Sequence, residues 1–131
     1  MAIDDRLQLA ERLFAAITAG NVDAVRNIYA SDAVIWHNND NNSQNVDQNL
    51  AVLGWVVKHV KDVRYEEIRR QATETGFVQQ HVLRGIAPNG QPLEIAACIV
   101  CVVEDGRITR LDEYLDSAQL KPLFGKSGSA E

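Results

Sequence analysis

LEIAACIVCVVEDGRITRLDEYL, residues 93–115, is the stretch whose reading decides the fold. Its first half is apolar at nearly every position, so a strand here needs cover on both faces. Asp105-Gly106 follows, a pair that tolerates positive φ at both central positions of a tight hairpin turn. The chain then returns as RITRLDEYL, in which Leu111, Glu113 and Leu115 share one face by period-two alternation. Two long antiparallel strands are the expectation.

Working outward, the same period extends over 63–74 and 77–86, with Gly76 expected as the left-handed residue of the first turn and Asn89-Gly90 as the second turn. Four strands at 63–74, 77–86, 93–104 and 107–116 make a meander. Upstream the period becomes helical. Leu7, Leu9, Ala10, Leu13, Phe14 and Ile17 form a stripe over 4–19 that ends at Gly20. Asn21 can cap a second helix carrying Val22, Val25, Ile28 and Tyr29. Ser31-Asp32 breaks that helix before a short strand at 33–37. Asn45 or Asp47 can cap a third helix facing inward through Leu50, Leu53, Val57 and Val60. SAQLKPLF, 117–124, closes one end.

The chain's 131 residues suffice to bury a core without disulfides and are read as one domain, 1–124, with a flexible Gly/Ser tail at 125–131. A net charge of −5 without a basic cluster argues against nucleic acid as a partner. No apolar run is long enough for a membrane. IDDRLQLAERLF is charged throughout, unlike a signal peptide, so a cytoplasmic location is expected. Cys98 and Cys101 spell CxxC, but residues three apart on a strand face opposite sides, which reads as small hydrophobes rather than a redox pair. GKSG, 125–128, lacks the upstream glycine and strand of a phosphate loop. The apolar strand 93–103 needs cover beyond what three helices provide on one face, and a second copy meeting sheet to sheet would supply it.

AAITAGNVDAV, ASDAVIWHN and GRITRLDEYLDSAQL, in that order among three helices and a meander, resemble the SnoaL-like branch of the NTF2-like superfamily over roughly 5–124. The resemblance implies an α+β fold: a cone in which a curved antiparallel four-strand meander plus a short strand wraps around three N-terminal helices, open at an apolar pocket. That superfamily includes ketosteroid isomerases, polyketide cyclases, limonene-type epoxide hydrolases and scytalone dehydratases, and also non-catalytic members. Matched to ketosteroid isomerases, the carboxylate base becomes His37. The oxyanion-hole tyrosine becomes Leu13, and the partner acid falls in AACIV, where no acid exists. Matched to limonene-type epoxide hydrolases, Trp36 and Asn38 stand for the aromatic and asparagine. Their Arg-x-Asp becomes Gln79-Gln80-His81, and their last-strand acid becomes Glu113. Neither of those two activities is therefore expected here.

Phe77, Gln79, His81 and Leu83 alternate onto one face of their strand. If that face and the Glu113 face both line the cone, His37, His81 and Glu113 meet as candidate catalytic residues. Histidine titrates near neutrality, and a carboxylate beside it fixes its tautomer and stabilises its cation. Asn38, Gln79, Phe14, Phe77, Trp36 and Trp55 are the candidate substrate-binding residues. His37 as base, Asn38 orienting substrate, and His81 with Glu113 returning a proton suit isomerisation, cyclisation or dehydration of an apolar, ring-bearing carbonyl compound. The resemblance favours chemistry free of metal and cofactor.

Each assignment has a plainer alternative. His37 could cap a turn, and His81 could be a hydrogen-bonded core residue. One β-bulge would exchange Glu113 for Asp112 and Asp116 on the inner face. Asp40, Asn42 and Gln44 have calcium-loop spacing without its glycine and terminal glutamate. Arg69, Arg70, Arg84, Arg107 and Arg110 are expected at strand edges and the surface. A hydrophobic-ligand binding module and a pure dimerisation domain are the non-catalytic alternatives.

Overall fold

The computed structural model describes residues 2–124. The expected tail at 125–131, with its GKSG, lies outside them. Helix α1 (Ile3–Thr18) buries Leu9, Leu13, Phe14 and Ile17 and carries Asp4 and Asp5 in its first turn, where the helix dipole favours negative charge. Gly20, at φ 70°, turns the chain out of the helix. Asn21 then caps α2 (Val22–Ile28) by accepting a hydrogen bond from the Ala24 N–H.

Strand β1 (Tyr29–His37) starts earlier than its sequence suggested. Ser31 and Asp32 lie within it as exposed residues instead of breaking the chain before it. The Asn-rich segment is a hairpin. Asp40 accepts from the Asn42 N–H, Asn41 adopts φ 55°, and a strand unforeseen in the sequence, β2 (Asn42–Gln44), pairs back onto β1. The oxygens that suggested a calcium loop thus belong to a turn and an edge strand. Helix α3 (Val46–His59) follows, with Asn45 and Gln48 satisfying each other's backbone N–H groups in a reciprocal capping box.

The meander is β3 (Lys61–Ala72), β4 (Gly76–Ile86), β5 (Pro92–Glu104) and β6 (Arg107–Leu115). The sheet order is β2-β1-β6-β5-β4-β3, with β1 parallel to β6 and every other pair antiparallel. The result is α+β: a curved, open sheet with helices packed on one face, as expected but for the sixth strand. A short 3-10 turn (Ser117–Leu120) and α4 (Lys121–Phe124) end the described chain. Where β6 stops, Gln119 takes over its pairing. Its side-chain oxygen accepts from the Ala96 N–H at 2.9 Å, and its side-chain nitrogen donates to the Ala96 carbonyl at 3.1 Å.

Two turn expectations are corrected. Gly76 does not take positive φ. Its role is close approach, because a Cβ there would lie 2.0 Å from the Cys101 carbonyl oxygen. At Asn89-Gly90 only Gly90 takes positive φ, whereas at Asp105-Gly106 both residues do.

The core joins Leu9 and Leu13 of α1, Val25 and Ile28 of α2, and Val46 and Leu50 of α3 to the inner sheet face at Ile35, Phe77, Ile99 and Ile108, all buried. The outer face leaves Ile68, Val100 and Tyr114 exposed. Cys101 is buried and Cys98 only partly so, consistent with opposite faces. No helix among the described residues is long and apolar enough to cross a membrane.

Candidate active site

The site begins with strand register. In the parallel β1–β6 pair, His37 stands directly beside Glu113, and Nε2 of the ring lies 3.0 Å from Oε1 of the carboxylate. A bulge does occur in β6, where its register against β5 shifts between Val102, opposite Arg110, and Val103, opposite Ile108. It falls before Leu111, so Ile108 and Leu111 are both buried and Leu111, Glu113 and Leu115 keep the inner face. On the other face Asp112 pairs with Arg110 at 2.9 Å. Asp116 caps the 3-10 turn through the Ala118 N–H.

His37 and Glu113 keep 19% and 24% of their side chains exposed, so both can be reached from solvent. The hydrogen bond and negative charge of Glu113 raise the His37 pKa against the opposing effect of partial burial, and Asp40 adds to the rise. The Glu113 charge also reaches Tyr29, Tyr65, His81 and Cys101. Burial drives the Tyr29, Tyr65 and Cys101 pKa values upward, so these groups stay protonated.

His81 and Gln79 lie buried on the inner face of β4. The His81 ring meets Phe14 edge-on at 5.2 Å and Tyr65 edge-on at 4.7 Å between centroids. Gln79 connects two groups: Arg70 Nε donates to its Oε1 at 2.6 Å, and its Nε2 lies 2.9 Å from His81 Nδ1. Burial lowers the His81 pKa; Arg70 lowers it further, and Glu113 opposes both.

Tyr65 and Arg70 were not singled out for the site in the sequence, and Arg70 was expected at the surface. A bulge in β3 explains both. The register against β4 shifts between Glu66 and Arg69, and Glu67 takes φ 54°. The extra residue changes the alternation, so positions 65 and 70, which a regular strand would put on opposite faces, both reach the interior. An acidic residue at positive φ mid-strand left no signal in the alternation of the sequence.

Other expected site residues have different places. Trp36 is on the outer face, its ring 5.3 Å from Tyr114 and its Nε1 donating to Asn41 Oδ1, because β1 alternation turns it away from His37. Trp55 is 41% exposed on α3 and stacks on His59, outside the interior. Phe77 is wholly buried in the core rather than bordering open space. Asn38 extends the β1–β6 pairing: its N–H donates to the Glu113 carbonyl and its Oδ1 accepts from the Leu115 N–H. It therefore anchors the backbone around Glu113, and its side-chain oxygen is committed to that task.

The interior is more closely filled than a deep apolar cone implies, since the Phe14, Tyr65 and His81 rings touch one another. A hollow of about 540 Å³ lies instead on the outer face, bordered by Ile68, His81, Val82, Cys98 and Tyr114, and does not include His37 or Glu113. The inner strands do continue into partly buried Leu83 beyond His81 and Leu115 beyond Glu113, joined by Val56, Val63, Leu120 and Leu123. Among the described residues no three His, Cys, Asp or Glu side chains converge as a metal cage.

This arrangement can be set beside known proteins. Residues 10–111 match the SnoaL-like domain model. No curated protein matches the chain by sequence. An NTF2-like protein from Burkholderia xenovorans superposes with a TM-score of 0.79 at 17% identity, covering 95% of this chain and 99% of that one. A protein with a ketosteroid isomerase-like fold from Catenulispora acidiphila, solved with trimethylamine, gives 0.76 at 13% identity, covering 94% and 97%. An LEH-like epoxide hydrolase of M. tuberculosis gives 0.72 at 20% identity, covering 93% and 91%. At these identities the likeness is one of fold.

Proposed function

The chain belongs to the SnoaL-like domain family, and from that premise we propose that it is a general acid–base enzyme acting beside the carbonyl of an apolar, ring-bearing small molecule. The observation that carries this reading is the His37–Glu113 contact at 3.0 Å in a partly exposed setting. The carboxylate occupies Nε2 and holds a proton there, so Nδ1 is the basic lone pair of the neutral ring. Once Nδ1 takes a proton, the resulting imidazolium is stabilised by Glu113 and can return that proton at another carbon or oxygen. Isomerisation, aldol cyclisation and dehydration share this first step.

The apolar fringe formed by Leu83, Leu115, Leu120 and Leu123 suits a hydrophobic ring better than a charged substrate. Epoxide opening fits less well, because Gln79 and His81 occupy positions where that chemistry would need an arginine and a carboxylate. The chain is also proposed to pair through its outer sheet face, where Ile68, Val100 and Tyr114 are exposed.

The test is exchange of the α-protons of 2-tetralone into D2O, followed by proton NMR. The wild-type protein should accelerate exchange, and His37→Asn should lose about 100-fold or more of that acceleration. Equal rates in the two proteins would remove the acid–base reading.

A further inference from the structure

His81 is held in a way that fixes where its proton sits. Arginine can only donate hydrogen bonds, so the 2.6 Å contact from Arg70 Nε identifies the Gln79 atom facing it as the carbonyl oxygen. The other end of the amide is then the NH2 group, 2.9 Å from His81 Nδ1. An NH2 group facing a ring nitrogen must donate to it, so Nδ1 carries no proton. A proton on Nδ1 would set N–H against N–H in a buried position, where His81 is 4% exposed and Gln79 fully enclosed.

We propose that the Arg70–Gln79 relay locks His81 as a neutral imidazole with its proton on Nε2, and that this N–H donates to the carbonyl oxygen of the substrate on which the His37–Glu113 pair acts. The second half rests on the reading of that pair given above; the tautomer does not. A neutral donor differs from the proton-returning role that the sequence suggested for His81. It gives an oxygen that gains negative charge a fixed N–H in a water-poor setting. The site thereby divides its labour: one histidine paired with an acid to move protons, the other held neutral to hold oxygen.

The surroundings of His81 are consistent with this. From β3 it faces Tyr65 and the Arg70 cation, from α1 the uncharged Phe14, and from β6 the Glu113 carboxylate. Glu11 of α1 acts on Arg70. Among the described residues Glu113 is the nearby group that favours an imidazolium, and burial and Arg70 oppose it. Arg70 and Gln79 are positioning residues because they act through His81.

The experiment is nitrogen-15 NMR of the imidazole rings, which distinguishes a protonated from an unprotonated ring nitrogen. In the wild-type protein His81 should show an unprotonated Nδ1 and a protonated Nε2 throughout the folded range around neutral pH. Protonation of Nδ1 at neutral pH would overturn the lock. Gln79→Glu replaces the donor with an acceptor and should move a proton onto Nδ1. Arg70→Lys should keep the single tautomer, whereas Arg70→Leu, which frees the amide to rotate, should mix the two. An unchanged tautomer in both Gln79→Glu and Arg70→Leu would also overturn the lock.

The donor role is tested with 2-tetralone against tetralin, which has the same rings without the carbonyl. The ketone should bind about tenfold more tightly, the equivalent of one good hydrogen bond, and should shift the Nε2–H signal. Equal binding, or an unmoved signal, removes the donor role. His37→Asn should leave both the tautomer and this preference intact while losing the acceleration of exchange, so the acid–base reading and the donor reading fail separately.

Discussion

His37 and Glu113 come from opposite ends of the chain and meet as direct neighbours in a parallel strand pair, Nε2 to Oε1 at 3.0 Å. Neither residue is singular in the sequence: one ends a short strand before a polar loop, the other sits among two aspartates and a tyrosine. Their pairing depends on β1 lying against β6 and on the β6 bulge falling before Leu111 rather than after it. Asn38 secures that relationship by bonding to the β6 backbone on either side of position 114.

The pH dependence of exchange follows from the raised His37 pKa. Nδ1 acts as a base only when the ring is neutral, so the rate should climb as pH rises through a value above the ordinary 6.5 and then level off. The stability contribution has the opposite sense. Because the folded pKa is raised, the His37–Glu113 stabilisation is fully present below the unfolded value and is lost as pH rises through the folded one. His81, with its lowered folded pKa, contributes stability that is lost as pH falls below the unfolded value. Chemical denaturation of the wild type and His37→Asn across neutral pH separates the two slopes.

Gln79→Leu should destabilise the protein by about 1–3 kcal/mol, the typical cost of leaving a buried polar group unpartnered. The leucine fills much of the same space but offers nothing to Arg70 Nε or His81 Nδ1. Urea denaturation measures the loss, and a neutral result would mean that the relay has no structural weight.

Two glycines should respond in opposite directions to alanine. Gly76→Ala drives a Cβ into the Cys101 carbonyl inside a β-ladder and should cost about 1–3 kcal/mol or more. Gly54→Ala, within α3 with nothing inside 4 Å of the added carbon, should stabilise by about 1 kcal/mol through helix propensity. Thermal unfolding of the pair checks both signs.

Val100→Lys places a charge at the centre of the exposed outer face without touching the inner one. Light scattering should show a dimer for the wild type and a monomer for the variant. Its His37 titration should be unchanged.

Much of this architecture is legible in the chain because the signals are local. Asn21 and Asn45 cap helices where their sequence context indicates, and the alternation through Phe77, Gln79 and His81 identifies the inner face of β4 directly. What escapes is whatever depends on an interruption of period two. The β3 bulge at Glu66–Glu67 brings Tyr65 and Arg70 inward, yet its residues have no turn chemistry to announce it. Trp36 and Trp55 mislead for a different reason: large aromatics suggest a lining role, but position on the element decides which face they serve. The Asn-rich loop conceals a strand because asparagine is a poor strand former and the edge pairing is short.

The proposed chemistry depends on the coupling between one imidazole and one carboxylate, and NMR titration of His37 in the wild type and in Glu113→Gln measures that coupling directly. A wild-type pKa above 6.5 that falls in the variant is the expected result. An identical, ordinary histidine titration in both proteins would contradict it.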